Sequence, residues 1–132
     1  MRLRYAASLS VAIAAGAAYG FAPQGPAHAD APVSFKNDVL PIFKLYCVSC
    51  HQAPDGEGYK VSALDLSTYA GVMKGTKYGP MIVPGNAEYS NLMWLLDWRA
   101  SPQLRMPHGK KQLPLDERNL IRAWIQQGAK DN

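Results

Sequence analysis

Two cysteines and a histidine occur close together near the middle of the sequence, at Cys47, Cys50 and His51. Their spacing is C-x-x-C-H, the pattern by which haem is attached covalently to a polypeptide. In that chemistry both sulfurs bond to the haem vinyl groups as thioethers, and the adjacent imidazole binds the iron. The pattern therefore predicts one covalently bound haem c, attached through Cys47 and Cys50, with His51 as the proximal iron ligand.

Three other kinds of cysteine site are less consistent with these residues. A thioredoxin-like dithiol requires a βαβ context, and the flanks of this pair are not strand-like. A structural zinc site needs four ligands, and after residue 29 the chain offers only Cys47, Cys50, His51 and His108, which are badly spaced for a zinc finger. A plain disulfide would leave His51 without a role. Covalent haem attachment accounts for all three residues of the motif.

An iron bound by His51 stays open on its other side unless a sixth ligand closes it. After residue 29 the methionines are Met73, Met81, Met93 and Met106. Two of them fall in apolar stripes of predicted helices, where core packing explains them. Of the two in loops we favour Met106, because Pro107 stiffens the backbone behind its thioether; His108 and an open or otherwise ligated iron remain alternatives. A Met–His iron would have a raised reduction potential and would resist small ligands.

The segments around the motif are typical of helices and loops. Apolar residues before it recur at helical spacing and predict a short helix that ends at the motif, capped by Ser34 or Asn37. These residues are Phe35, Val39, Ile42, Phe43 and Tyr46. Residues 52–60 are rich in turn formers and predict an exposed loop.

Three further helices are expected towards the C-terminus. Residues 67–73 form a short capped helix, and Ser90 caps another that runs to Trp98, whose tryptophans could line a haem pocket or simply pack in the core. The last begins at Pro114 or Leu115 and is terminated by Gly128. Its buried stripe is Leu120, Ile121, Trp124 and Ile125. No strand pattern of useful length is present, so the sequence predicts an all-α domain with long loops.

The N-terminus has the order of a secretory signal. Arg2 and Arg4 precede an uncharged stretch from 6 to 22, and an A-x-A site at 27–29 precedes Asp30. We therefore expect 1–29 to be a cleaved signal peptide and 30–132 to be the haem domain, exported to the periplasm. An uncleaved signal would act as an N-terminal membrane tether, and no later segment is long and apolar enough to span a bilayer.

Composition limits the range of functions. With 132 residues, of which 48% are hydrophobic and 18% are charged, the chain fits one small globular domain. Its length excludes a multidomain enzyme, and its composition excludes a disordered chain. The formal charge of +4 includes two arginines of the predicted signal peptide, so the positive charge is weak evidence for binding to nucleic acid. We expect no nucleic-acid partner. The lysines at 44, 60, 74, 77, 110 and 111 could form a docking face, but scattered lysines are usually a solvated surface.

Taken in order, the motifs resemble the class I c-type cytochromes, and within them a small bacterial mono-haem subgroup. The shared pieces are 38–42 (Asp-Val-Leu-Pro-Ile), 47–51, 83–85 with Ser90, 106–107 (Met-Pro) and 124–129 (Trp-Ile-Gln-Gln-Gly-Ala). The resemblance implies Cys47 and Cys50 as thioether positions, His51 as proximal ligand and Met106 as distal ligand. It also implies a haem-wrapping helical fold whose first and last helices cross. Pro114 and Arg118 depart from the pattern of the family.

The predicted function is one-electron transfer to and from redox protein partners that the sequence does not identify, without catalysis by the chain itself. A haem enzyme, such as a peroxidase or a dehydrogenase subunit, is the first alternative. It would need an open distal face and proton-handling groups, of which the chain offers only His108. A gas-binding sensor with a weak sixth ligand is the second alternative. The reduction potential and the oligomeric state do not follow from the sequence.

Overall fold

The computed structural model describes residues 31–132, and the predicted signal peptide with its cleavage site before Asp30 lies outside them. A π-helical segment, Phe35–Val39, continues into α1, Leu40–Tyr46. It is followed by α2 (Glu57–Ser62), α3 (Tyr69–Lys74), α4 (Asn91–Leu96), a 3₁₀ turn (Pro102–Leu104) and α5 (Leu115–Gln126). Over 31–132 there is no strand beyond an isolated bridge between Thr76 and Gly79, which confirms the predicted all-α fold. No helix in this range is long and apolar enough to cross a membrane.

The first helix changes type at Pro41, the second residue of α1. Proline has no N–H, so it cannot donate the backbone hydrogen bond that a continuing helix requires. The wider π-helical segment ends at Val39, two residues before Pro41, and the α-helix begins with Leu40. Ser34 caps the segment, because its side chain accepts a hydrogen bond from the N–H of Asn37 at 3.1 Å.

Phe35 joins the two ends of the chain in the core. Its ring centroid lies 5.3 Å from that of Trp124 in α5 and 5.3 Å from that of Tyr69 in α3, the latter in an edge-to-face arrangement. Phe35 and Trp124 are almost completely buried. The first and last helical segments therefore pack on each other, as the resemblance implies.

Backbone groups of the N-terminal segment also bond to the last residue. The carbonyl oxygen of Asn132 accepts hydrogen bonds from Lys36 N–H at 2.9 Å and from the Ser34 hydroxyl at 2.7 Å. Its side-chain oxygen accepts a third from Phe35 N–H at 2.9 Å. These bonds hold the segment before α1 against the segment after α5.

A partly buried ion pair network joins α4 to α5. Asp97, directly after α4, contacts Arg118 Nη1 at 2.8 Å and Arg122 Nη2 at 2.6 Å. The Nε of Arg118 also donates to the carbonyl of Leu113 at 3.1 Å. Arg118, where the family pattern often has an apolar residue, therefore fixes the start of α5 to the end of α4.

Two local expectations were wrong. The segment 52–60 is not a loop throughout, since α2 begins at Glu57. Ser90 does not cap α4 with its side chain; its buried hydroxyl instead accepts from Val83 N–H at 2.9 Å and donates to the Asn86 carbonyl at 2.8 Å. It therefore fixes the preceding turn.

Candidate functional site

The C-x-x-C-H motif lies directly after α1, with Cys47 as the C-cap residue. The N–H of Cys47 donates to the carbonyl of Phe43 at 2.8 Å, and the N–H groups of Cys50 and His51 donate to the carbonyl of Cys47 at 3.0 and 2.9 Å. The motif is thus folded into tight turns that continue the direction of α1. The three predicted site residues therefore come together in one local structure.

The imidazole of His51 is half-buried, and its Nδ1 is fully buried without a hydrogen-bond partner. Burial lowers the pKa of His51, and the nearby backbone of Leu64 partly offsets this effect. The carbonyl of His51 accepts a hydrogen bond from Leu66 N–H at 2.8 Å. A neutral imidazole in a fixed backbone is the form in which histidine binds iron.

Helix α2 packs against the motif. Tyr59 N–H donates to the carbonyl of Cys50 at 3.0 Å, and a Cβ added to Gly56 would overlap that same carbonyl. Gly58 lies against the ring of His51 so closely that a Cβ there would be 2.6 Å from Cε1. Gly58 in α2 and Gly56 directly before it allow this close approach, although both lie in a segment predicted to be a loop.

Both thiols of the motif are free; Cys47 is half-buried and Cys50 is exposed. Burial raises the pKa of Cys47 to about 12, helped by Cys50 and Glu117 and opposed by the charge of Lys110. A redox-active dithiol needs a lowered thiol pKa, so this environment counts against a thioredoxin-like reaction. Within 31–132, no three His, Cys, Asp or Glu side chains gather as a group that could hold a metal ion.

The loop that carries Met106 is attached to α4. Met106 N–H donates to the carbonyl of Leu95 at 3.2 Å, and Trp98 Nε1 donates to the carbonyl of Met106 at 3.0 Å. Met106 is half-buried and packs against the core. Further along the loop, Lys110 is near enough to Cys47 to lower its pKa, so the loop and the motif are neighbours.

The other methionines and His108 cover a range of exposure. Met93 is fully buried in α4, Met81 is buried, and Met73 is half-buried, all in contact with the core. His108 is exposed. The assignment of Met106 as the distal ligand stays a prediction.

Two contacts around the site were not found from the sequence. Tyr46, next to Cys47, donates from its hydroxyl to Glu117 Oε1 at 3.2 Å and so links the end of α1 to α5. Burial, this hydrogen bond and the charge of Glu117 raise the pKa of Tyr46, which keeps the phenol a donor. Arg105 lies over the ring of Trp98, 5.4 Å from its centroid. Both contacts join residues distant in sequence or in different segments, so no local pattern reveals them.

Comparison with known proteins gives one match, to the family model described as Planctomycete cytochrome C, over residues 47–108. This match begins at Cys47 and ends at His108, so it spans the motif and the Met106 loop. The match of residues 47–108 supports a cytochrome c-type family. No curated protein and no solved structure matches the chain.

The match suggests a haem-binding electron carrier rather than an enzyme, and such a family implies covalently bound haem c. Cytochromes of this family are typically exported. The residues present fit a covalent haem, because two free thiols flank a turn whose histidine is held with Nδ1 buried. That arrangement leaves Nε2 as the ring nitrogen available to iron.

Proposed function

We propose that the protein is a periplasmic one-electron carrier with a single haem c, held by Cys47 and Cys50 and ligated by His51 and Met106. The observation that carries the proposal is the half-buried imidazole of His51, with its Nδ1 enclosed, directly after two free thiols at the end of α1. When bound, the haem supplies reversible one-electron chemistry at iron.

The chain's own residues would hold and enclose the cofactor. The bond from Leu66 N–H and the packing of Gly58 hold His51 in place, so its imidazole keeps one orientation. The hydrogen bond from Trp98 and the bond to Leu95 hold the backbone of Met106, so its thioether is presented from a supported loop. A carrier benefits from such fixed ligands, because both must be retained when the charge of the iron changes.

A peroxidase would need an open distal face with a proton-handling group beside it. The one further histidine in 31–132, His108, is exposed and follows Met106 and Pro107 in the same loop. If Met106 occupies the distal position, peroxide has no vacant site. This argument supports a carrier and not a haem enzyme.

The test is the intact mass and the absorption spectrum of the protein purified from the periplasm of cells competent in cytochrome maturation. We expect a denatured mass equal to 30–132 plus one haem, and a six-coordinate low-spin spectrum in both oxidation states. A mass equal to the polypeptide alone would contradict haem attachment. A high-spin spectrum would contradict Met106 as a permanent ligand and would favour an enzyme or a gas sensor.

A further inference from the structure

Gly58 leaves no space beside the ring of His51. A Cβ added at this glycine would lie 2.6 Å from Cε1 and 2.9 Å from both Nδ1 and Nε2 of the imidazole. Such a Cβ would be close to three atoms of the ring at once. The α carbon of Gly58 therefore faces the flat side of the imidazole and not its edge.

The backbone of Gly58 does not itself require glycine. The residue is the second of α2 and has right-handed helical geometry, in which alanine is more stable than glycine. By contrast, Gly75 and Gly128 have φ values of +76° and +100°, where glycine is favoured for its conformation. The lack of a side chain at Gly58 is thus explained by the space that His51 occupies.

Helix α2 has little freedom to move away from the ring. Its backbone is bonded to the motif through Tyr59 N–H and the Cys50 carbonyl at 3.0 Å. Its C-terminal end is bonded to the next loop, because Lys77 N–H donates to the carbonyl of Ser62 at 2.8 Å. The hydroxyl of Ser62 also donates to the carbonyl of Gly58 at 2.6 Å. A bulkier residue at 58 would therefore displace the imidazole more readily than the helix.

We propose that Gly58 is a positioning residue that sets the plane of the axial imidazole of His51 and thereby tunes the iron. This inference rests on the proposed function, in which His51 is an iron ligand. An imidazole held at one end by its own chain and at the other by iron can relieve a clash mainly by rotating about that axis. Rotation of the ring changes its overlap with the iron orbitals, and the surroundings of an axial ligand tune the potential of the metal.

The test compares Gly58→Ala with Gly85→Ala in the haem-loaded protein. Gly85 is the control: a Cβ there would meet no atom within 4 Å, and its N–H is bonded to the carbonyl of Ile125 in α5 instead of to the motif. Its φ of +80° means that alanine costs stability there without touching His51. The readouts are the reduction potential and the proton shifts of the haem methyl groups in the oxidised protein, which report the plane of the axial imidazole. We expect Gly58→Ala to reorder the methyl shifts and to shift the potential, and Gly85→Ala to leave both as in the wild type.

A measurement on the unmodified protein tests the same contact if Gly58→Ala yields no holoprotein. In the reduced, diamagnetic protein, we expect strong nuclear Overhauser effects between the α protons of Gly58 and the ring protons of His51. Their absence would overturn the inference, as would equal methyl shifts in wild type and Gly58→Ala. A wild type without covalent haem or without an axial histidine would instead overturn the proposed function, so the two failures are distinguishable.

Discussion

The methionines of residues 31–132 differ in what surrounds them, so alanine variants can test which of them is the distal ligand. Met106 is half-buried in a supported loop, whereas Met93 is enclosed by the core. We expect Met106→Ala to lose the sulfur-to-iron absorption band and to lower the reduction potential by on the order of 0.1 V, within the roughly 0.8 V that axial ligands span. Voltammetry and absorption spectra measure both effects.

Met93→Ala is the control for a change in packing alone. It removes a fully buried side chain and should destabilise the protein by about 2–5 kcal/mol while the absorption band remains. His108→Ala should change neither property, because His108 is exposed. If Met93→Ala removes the band and Met106→Ala does not, or if the wild type has no such band, the assignment of the distal ligand is wrong.

Trp98 is expected to stabilise the loop that presents Met106. Its Nε1 donates to the carbonyl of Met106 at 3.0 Å, and its backbone has a φ of +57°, which non-glycine residues adopt only when their surroundings compensate. Trp98→Phe should cost about 1 kcal/mol and should lose the sulfur-to-iron band at a lower urea concentration than that of global unfolding. Absorption and circular dichroism followed in one titration separate the two transitions.

Trp94→Phe is the matched control, because Trp94 also donates from Nε1 to a backbone carbonyl, that of Glu88, and also has an arginine over its ring. That contact is exposed and does not involve the Met106 loop. Coincident loss of the band and of helical structure in Trp98→Phe would show that Trp98 stabilises the whole fold and not the loop.

At the scale of the elements, Asp97 determines how α4 and α5 are joined. Burial tends to raise its pKa, but the hydrogen bonds and charges of Arg122 and Arg118 outweigh burial, so the pKa is lowered. A carboxylate with a lowered pKa stabilises the folded state above its ordinary titration range near 4, and this contribution is lost as pH falls through the folded pKa.

Asp97→Asn should therefore destabilise the protein by about 1–2 kcal/mol at pH 7, and its difference from the wild type should shrink as pH falls below about 4. Urea unfolding across pH measures this difference. Glu88→Gln serves as control, because Glu88 pairs with Arg99 at an exposed position where ion pairs contribute little. A difference that is independent of pH would show that the carboxylate charge is not what joins the two helices.

The sequence predicted the elements whose signals are local. The apolar stripe of α5 places Ile121, Trp124 and Ile125 in the core, and its start at Leu115 agrees with the structure. Helix α2 was missed because it has only six residues, one of them Gly58, and its position depends on the hydrogen bond from Tyr59 N–H to the carbonyl of Cys50. Over so short a segment, the helix propensity of the residues determines the structure less than a tertiary contact of this kind does.

The residues of the candidate site were likewise predictable only where they are close together in the sequence. Cys47, Cys50 and His51 are adjacent in sequence, so a spacing rule was sufficient to place them together. The supports of Met106 come from Trp98 and Leu95, and the neighbour of His51 is Gly58; these pairs depend on how separate segments fold back on one another. The iron ligation itself stays a prediction until the cofactor is measured.

For the whole molecule, surface charge bears on partner recognition. The six lysines named above are all exposed, and Lys110 lies near Cys47, where an attached haem would be. A positive surface near the haem attracts an anionic redox partner, and salt weakens this attraction because the Debye length falls from about 30 Å at 0.01 M to about 8 Å at 0.15 M.

We therefore expect oxidation of the reduced protein by ferricyanide, an anionic one-electron oxidant, to slow several-fold over that salt range in stopped-flow experiments. Hexaammineruthenium(III), a cationic oxidant, should show the opposite salt dependence. Lys110→Gln should weaken the salt dependence of both reactions more than Lys130→Gln, which removes the same charge in the C-terminal segment. An equal salt dependence with the two oxidants would exclude a positive docking surface but would not contradict electron transfer. Rapid peroxide turnover by the six-coordinate wild type would contradict the carrier function itself.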